Sequence, residues 1–305
     1  MKRIKEKEFN RLSKGWNFVF TLLLMIVGIT MLAPMLLVLV ISFSSEASIG
    51  MVGYSFFPAE WSLEGYQYLL RMGDQLLDSY IFTIFYAVVG TTLSVFVTSM
   101  AAYVISVKDF WCHMQLTWYM FFTMLFSGGL VPTYILNVRY LHLDDTIWIF
   151  LLPGLCSVYN MIILRTFIRT NVPEALLDSA KIDGAGHFTI FFRIVAPLSK
   201  AGLATVALFT VVGKWNDWFT GMLYIENPRL IPLQTLLTKL QNNVDYLKQN
   251  AAIASTPDGL QYMRSLPKTS LRMACTIVAV VPILCAYPFF QRYFVHVLTM
   301  GSIKE

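Results

Sequence analysis

A lysine and an aspartate stand three residues apart inside an otherwise apolar stretch of this chain. They are Lys214 and Asp217, and Trp215, Asn216 and Trp218 accompany them. Ionisable side chains inside an apolar, membrane-like segment are candidates for a functional site. Residues three apart share one face of a helix, so the two charges could neutralise each other. Together the aromatic faces, the amide and the carboxylate would suit a sugar, which offers C–H surfaces and hydroxyl groups.

A purely structural interpretation competes with this one. The charged pair would then lie near a membrane surface, and the tryptophans would belong to the aromatic belt found there. Tyr159 and Asn160 form a second, weaker pair of candidates, because an asparagine in a membrane helix often only joins two helices. The sequence leaves both interpretations open.

Long apolar segments must carry these side chains. The chain is 56% hydrophobic and 13% charged, whereas a soluble domain carries about 25% charged residues. A helix needs about 20 apolar residues to cross a hydrocarbon core about 30 Å thick. The sequence therefore predicts an all-α membrane protein with six transmembrane helices, over residues 16–43, 80–107, 113–136, 146–167, 201–225 and 273–295.

The distribution of lysine and arginine predicts the orientation of these helices. Six precede the first apolar run and one follows the second. Five lie at or after the end of the fourth run and two at or after the end of the sixth, fourteen in all against eight on the opposite side. Cytoplasmic loops carry the excess of positive charge. Both termini are therefore expected in the cytoplasm, and the net charge of +5 reflects topology and not nucleic-acid binding.

The domain organisation follows from these runs. We predict a basic cytoplasmic tail over residues 1–15, a six-helix transmembrane domain over 16–298 and a cytoplasmic C-terminal tail over 299–305. Within the transmembrane domain, a loop over 168–200 lies inside the cell and a long polar loop over 226–272 lies outside. The middle of the outer loop, 236–246, is expected to form a short helix.

Signatures of catalysis are missing from the sequence. There is no G-x-x-x-x-G-K-[ST] phosphate loop, and the four histidines show neither HExxH nor Cys/His ligand spacing. The four cysteines lie in or beside the apolar runs, which favours packing over disulfides. We expect no bound metal or cofactor and no enzymatic activity on this chain.

A short charged segment separates the fourth apolar run from the fifth. Asn171 would cap a helix there, and Pro173 suits a first turn. Asp178 and Lys181 would pair across a turn, and Gly184 favours the left-handed conformation that ends a helix. We interpret the segment as a helix that docks on a cytoplasmic partner. A helix lying on the membrane surface without a partner is the alternative.

This segment resembles a known loop. The sequence DSAKIDGA at 178–185, followed by IVAPL at 194–198, is similar to the Glu-Ala-Ala-x-x-x-Gly…Ile-x-Leu-Pro loop of permease subunits in binding-protein-dependent ABC importers. Four other motifs resemble the carbohydrate-uptake branch of that family, in particular its complex-polysaccharide type. They lie at 126–134, 214–218, 232–237 and 287–291, and the resemblance extends over residues 16–303.

The resemblance implies a type I ABC importer permease fold with a cytoplasmic coupling helix, which in that family sits in a groove of the ATPase subunit. The residues that would couple to the ATPase are then Glu174, Leu177, Asp178, Ser179, Ala180, Ile182, Asp183, Gly184 and Ala185.

Partners and substrate are likewise implied by the resemblance. This chain would be one half of a heterodimeric pore in the cytoplasmic membrane of a bacterium, beside a second homologous permease subunit and membrane lipid. A separate ABC ATPase dimer would bind ATP and magnesium, and an extracellular lipoprotein would deliver the sugar. The substrate would be a carbohydrate, in particular an oligosaccharide.

Four positions depart from the family pattern. Asp178 stands where the family usually has Glu, Ser179 where it has Ala, Ala196 where it has Leu, and Ala201 where it often has Pro. Aspartate keeps the charge of glutamate but is one methylene shorter, which would reshape a salt bridge to the ATPase. None of the four removes the small-residue face of the helix.

Two other classes of function are weighed against transport by an ABC permease. An ion- or proton-coupled carrier would predict carboxylates buried in the middle of its helices, or paired broken helices in two related halves. Asp217 is the only acidic residue well inside an apolar run. A membrane enzyme using a divalent metal would need clustered acidic residues at a membrane face, and the acidic residues here are dispersed.

The predicted orientation can be tested by labelling. A single cysteine placed at Lys5 in a cysteine-free background should be protected from a membrane-impermeant thiol reagent in intact cells and react after permeabilisation. Reaction in intact cells would show that the N-terminus lies outside.

Overall fold

The computed structural model describes residues 14–107, 109–249 and 269–301. In these ranges the chain is almost entirely helical and has no strand, apart from one isolated bridge between Ser44 and Trp61. The prediction of an all-α chain is confirmed for this part. The basic residues of the N-terminal tail before Lys14, Lys108, part of the predicted outer loop and the last four residues lie outside the described ranges.

The helices are numbered in chain order. They are α1 (Lys14–Ser42), α2 (Glu46–Val52), α3 (Glu64–Arg71), α4 (Asp74–Ser106), α5 (His113–Leu125), α6 (Leu130–Ile135), α7 (Trp148–Leu151), α8 (Val158–Asn171), α9 (Glu174–Ile182), α10 (His187–Ile190), α11 (Ala196–Leu198), α12 (Lys200–Trp215), α13 (Phe219–Tyr224), α14 (Leu233–Gln249) and α15 (Thr269–Gly301). Five-residue π-helical segments, Leu136–Tyr140 and Phe191–Val195, continue α6 and join α10 to α11.

The described residues up to Leu69 and the start of α15 up to Ile277 form one compact unit. There, the Glu46 carboxylate accepts hydrogen bonds from the backbone N–H groups of Thr269 and Ser270, at 2.8 Å for Ser270. A carboxylate at this position satisfies N–H groups that the helix itself cannot and complements the helix dipole. Glu46 therefore fixes where α15 begins.

The second unit contains the remaining described residues and is organised around α4. This helix has 33 residues, about 50 Å at 1.5 Å per residue, and α8 and α12 pack along it. Its two ends bury different clusters. Near Ser106 the cluster includes Tyr103, Ile168, Ala180 and Phe191. Near Asp74 a different cluster includes Phe82, Tyr86, Phe150, Ile225 and Leu236.

Three helices are long and apolar enough to cross a membrane unbroken: Gly15–Ser42, Asp74–Ser106 and Thr269–Pro288. Two bent pairs could add two spans. One pair joins His113–Leu125 to Leu130–Tyr140 at 111°, and the other joins His187–Leu198 to Lys200–Trp215 at 82°. The described residues therefore supply three to five spans by length and composition, and the count of six stays a prediction.

Three of the predicted runs are not continuous helices. The run 146–167 breaks between α7 and α8, where Pro153 lacks a backbone N–H and Gly154 has a φ of +72°. The run 113–136 breaks after α5, where Gly129 has a φ of +88°. The run 201–225 breaks after Trp215. Apolar composition predicted these segments, but the breaks depend on local backbone chemistry.

Close contact between α8 and α12 gives a stability test. A Cβ at Gly202 would lie 2.6 Å from Phe167 Cγ, whereas a Cβ at Gly213 in the same helix would meet nothing within 4 Å. Gly202→Ala should therefore cost about 1–3 kcal/mol, and Gly213→Ala should be neutral or slightly stabilising. Thermal unfolding of the purified protein measures both, and equal melting temperatures would contradict the packing described.

Candidate functional site

Helix α9 ends in the way that the sequence predicted. Gly184 has a φ of +77°, and its N–H donates to the Lys181 carbonyl at 3.0 Å. The Ala185 N–H donates to the Ala180 carbonyl at 2.9 Å. These two bonds form a Schellman motif, which needs a left-handed residue at the position of Gly184. The prediction that Gly184 terminates this helix is confirmed.

The start of α9 differs from the prediction. Asn171 is the last residue of α8, and its side-chain amide donates to the Phe167 carbonyl at 3.0 Å. Pro173 directly precedes α9, and no side chain caps the helix. The prediction that Asn171 caps α9 is wrong, because α8 continues far enough to place this side chain on the preceding helix.

One face of α9 packs inward and another stays exposed. Ala180 is buried in the cluster at the Ser106 end of α4, and Leu177 and Ala185 pack against that cluster. The exposed residues of the coupling set are Glu174, Asp178, Ser179, Ile182, Asp183 and Gly184, with Ile182 86% exposed. The helix therefore presents an outward surface that nothing in the described residues covers.

An ion pair joins α9 to the loop after α4. Lys181 Nζ lies 2.8 Å from an Asp109 carboxylate oxygen and 3.5 Å from one of Asp178. The predicted Asp178–Lys181 contact is confirmed, and Asp109 is a partner that the sequence did not reveal. The hydrogen bond to Asp109 is the main cause that raises the pKa of Lys181 above its ordinary value.

The charged pair of the fifth apolar run has a third member. Helix α12 ends at Trp215, so Asp217 lies beyond the helix and does not share a helical face with Lys214. The Lys214 ammonium sits 4.7 Å from the centroid of the Tyr86 ring, and the Tyr86 hydroxyl donates to Asp217 Oδ2 at 3.1 Å. None of the ion pairs among the described residues joins the two charges directly, and both contact Tyr86 instead.

A glycine on α4 makes room for the lysine. Lys214 is only 9% exposed, and a Cβ at Gly90 would lie 3.0 Å from its Cδ and Cε atoms. The methylene chain of Lys214 therefore lies directly over Gly90. A ring face stabilises a cation by the negative charge of its π-system, and the effect grows when water is excluded.

The neighbours of Lys214 do not converge on one binding surface. Trp215 is buried, and its indole N–H donates to the Ala279 carbonyl of α15 at 3.0 Å. Asn216 is exposed and accepts a hydrogen bond from the Gln234 side chain at 3.3 Å. Trp218 is 44% exposed. The position of Trp215 fits a packing role and not contact with a sugar.

The second pair of candidates lies apart from this cluster. Asn160 is buried and its amide donates to the Thr210 hydroxyl of α12 at 3.3 Å, so it joins α8 to α12. Tyr159 is 59% exposed. Within the described ranges neither side chain makes a hydrogen bond, ion pair or ring contact with residues 214–218. The interpretation of Asn160 as a helix-joining residue is the one that its geometry fits.

The predicted outer loop packs at the other end of α4. The Gln75 side chain donates to the Pro228 carbonyl at 2.8 Å, and the Leu233 N–H donates to the Thr83 hydroxyl at 2.8 Å. Helix α14 contains the predicted short helix 236–246. Because α9 packs at the Ser106 end, α9 and this loop lie at opposite ends of a helix long enough to span a membrane.

The comparisons with known proteins agree with this architecture. Residues 105–298 match the family described as binding-protein-dependent transport system inner membrane components. The chain belongs to this family, the inner-membrane permease subunits of ABC importers. The family is one of transporters and not of enzymes, and the alternative of an ion- or proton-coupled carrier is not supported.

Individual relatives cover nearly the whole chain. The polygalacturonan/rhamnogalacturonan transport system permease protein YtcP of Bacillus subtilis (strain 168) is 33% identical over 99% of this chain and 100% of its own length. Protein LplC of the same organism is 36% identical over 91% of each chain. A chain in the crystal structure of a bacterial ABC transporter involved in the import of the acidic polysaccharide alginate superposes with a TM-score of 0.77 at 26% identity, over 93% of this chain and 99% of that one.

Sequence reasoning missed the residues that connect these sites to α4. Tyr86 and Gly90 lie in the second apolar run, and Tyr103 and Asp109 lie near its end. Tyrosine and glycine are ordinary residues in such a run, so composition gave no signal. Asp109 is an isolated acidic residue in a short loop, and only the folded chain brings it to Lys181.

The role of Tyr86 can be measured with two substitutions. Tyr86→Phe removes the hydroxyl group that donates a hydrogen bond to Asp217. The loss should cost about 1.5–3 kcal/mol of stability, as for a hydrogen bond to a charged group. Tyr86→Leu also removes the ring beneath Lys214 and should cost more. Tyr159→Phe, at an exposed tyrosine, is the control. Thermal unfolding in which Tyr86→Phe and Tyr159→Phe behave alike would contradict the proposed contact.

Proposed function

We propose that this chain is one half of the pore of an ATP-driven importer of oligosaccharides, and that α9 is its coupling helix. The observation that carries the proposal is the placement of α9. It is a short helix with a buried inner face and an exposed outer face, at one end of a membrane-length helix. The resemblance of its sequence to the coupling loop of the family supports the same role.

The substrate class is inferred from relatives. YtcP is named for polygalacturonan and rhamnogalacturonan, and a more distant relative of Bacillus subtilis, AraQ, 25% identical over 95% of this chain, is named for arabinooligosaccharides. The structural relative belongs to an importer of alginate. All three names refer to carbohydrate polymers or oligomers, so we propose an oligosaccharide.

The proposed partners follow from this role. ATP and magnesium would bind to a separate ATPase dimer, with the outer face of α9 in a groove of one ATPase subunit. A sugar-binding protein would deliver substrate at the opposite end of α4, where the predicted outer loop packs. A second, homologous permease subunit would complete a heterodimeric pore with six spans in each half and both termini of this chain in the cytoplasm.

Reconstitution tests the proposal directly. This permease, the second permease subunit, the ATPase and the binding protein are placed in proteoliposomes, and uptake of labelled oligogalacturonides, alginate oligosaccharides and arabinooligosaccharides is measured. We expect uptake of at least one of them to require ATP and the binding protein and to resist a protonophore. Uptake that needs no ATP and stops with the protonophore would show an ion-coupled carrier.

The end of α9 provides a sharper test of coupling. Gly184→Val forces a β-branched residue into a left-handed conformation, a strain of about 1–2 kcal/mol, and should move the helix and lower ATP-driven uptake about tenfold. Gly186→Val is the matched control, because Gly186 has a φ of −70° and open space around it. The amount of inserted protein should be unchanged in both. Normal uptake by Gly184→Val would contradict the coupling role.

A further inference from the structure

Two polar contacts join the segment around α9 to the end of α4 and the loop that follows it. On one side Lys181 donates to the Asp109 carboxylate at 2.8 Å, across 72 residues of sequence. On the other side, beyond the C-terminal end of α9, the Tyr103 hydroxyl and His187 Nδ1 are 3.2 Å apart. Between them lies the apolar contact of Ala180. The end of α4 therefore contacts this segment at three points.

The apolar contact alone would hold α9 loosely. It is made by the side chains of Leu177, Ala180 and Ala185, and hydrophobic contact has no preferred direction. A hydrogen bond between charged groups has a defined distance and angle. The contact between Lys181 and Asp109, at 2.8 Å, therefore restricts the rotation of the helix about its own axis.

Exposure of this ion pair argues against a role in stability. The Lys181 side chain is 37% exposed and that of Asp109 is 79% exposed, and exposed ion pairs contribute little to the free energy of folding. The pair also borders a cavity of about 110 Å³. The cavity is lined by Ser106, Val107, Asp109, Glu174, Leu177, Asp178 and Lys181. The pair thus crosses a gap between α4 and α9 that apolar packing does not close.

We propose that Asp109 is a positioning residue for energy coupling. Its carboxylate holds Lys181 and so sets the orientation of the exposed face of α9 relative to α4. A displacement of α9 then moves α4, on which Tyr86 and Gly90 contact Lys214. This inference rests on the proposed function of α9 as the helix that docks on the ATPase.

Spin labels measure the orientation without any substrate. Nitroxides are attached to cysteines at Ala175, an exposed residue of α9 outside the predicted coupling set, and at Leu77, an exposed residue near the other end of α4, after the native cysteines are replaced. The distance distribution between them should be narrow in the assembled transporter. Asp109→Asn should broaden it about twofold, and Asp109→Glu, which keeps the charge, should restore most of the narrow distribution. An unchanged width in Asp109→Asn would overturn the proposal.

The consequence for coupling is measured as ATP hydrolysed per sugar imported, with the same mixture of labelled oligosaccharides. Asp109→Asn should raise this ratio about threefold, at an unchanged amount of assembled complex. Lys181→Met should do the same, and the double variant should be no worse than either single one, because both changes remove one shared bond. Asp144→Asn is the control, since Asp144 is exposed and makes no hydrogen bond or ion pair within the described ranges. An unchanged ratio, or effects that simply add, would overturn the proposal.

One further variant separates this inference from the proposed function. Ile182→Glu changes the most exposed apolar residue of α9 and should abolish binding of the ATPase if α9 docks there. If Ile182→Glu binds the ATPase normally, the docking role fails and the inference fails with it. If Ile182→Glu loses the ATPase while Asp109→Asn behaves like the unaltered protein, only the positioning role of Asp109 is wrong.

Discussion

Backbone polar groups in an apolar environment must find partners within the protein, and this constraint shapes the whole chain. A helix satisfies its backbone N–H and C=O groups with its own hydrogen bonds. Other partners are needed where an apolar run stops being helical. After α12, Asp217 Oδ1 accepts from the Thr220 N–H at 3.1 Å, and the Thr235 hydroxyl donates to the Trp218 carbonyl at 2.9 Å. The break before α8 is capped by Ser157, whose hydroxyl accepts from the Asn160 N–H. Such breaks are tolerated where a side chain supplies the missing bond.

The same constraint governs the buried lysine. An ammonium group removed from water needs compensating interactions. Here the Tyr86 ring supplies part of that compensation. The Asp217 carboxylate accepts a hydrogen bond from the hydroxyl of the same tyrosine. Tyr86 thereby links α4 to the end of α12. Two elements distant in sequence are held together at the point where α12 stops.

Sequence patterns predicted the large features and missed the contacts between them. Apolar runs gave the helical class and the positions of α1, α4 and α15, because length and hydropathy decide whether a segment can span a membrane. Gly184 was predictable because few residues adopt its conformation. The cap by Asn171 and the shared face of Lys214 and Asp217 were wrong, since each depended on where a helix ends. The residues just after α12 are held by the hydrogen bonds of Tyr86 to Asp217 and of Thr235 to the Trp218 carbonyl, which a single sequence does not display.

The Lys214 side chain of α12 fills the space next to Gly90 of α4 that a side chain at position 90 would otherwise occupy. A methyl group on α4 at this position would fill the space that the lysine methylenes now use. A larger residue at position 90 would therefore push the lysine methylenes aside or favour a shorter residue at position 214, so changes at the two positions are coupled. In related chains the identity of one should report the identity of the other, so this pair offers a way to recognise from sequence alone which relatives carry a buried cation against α4.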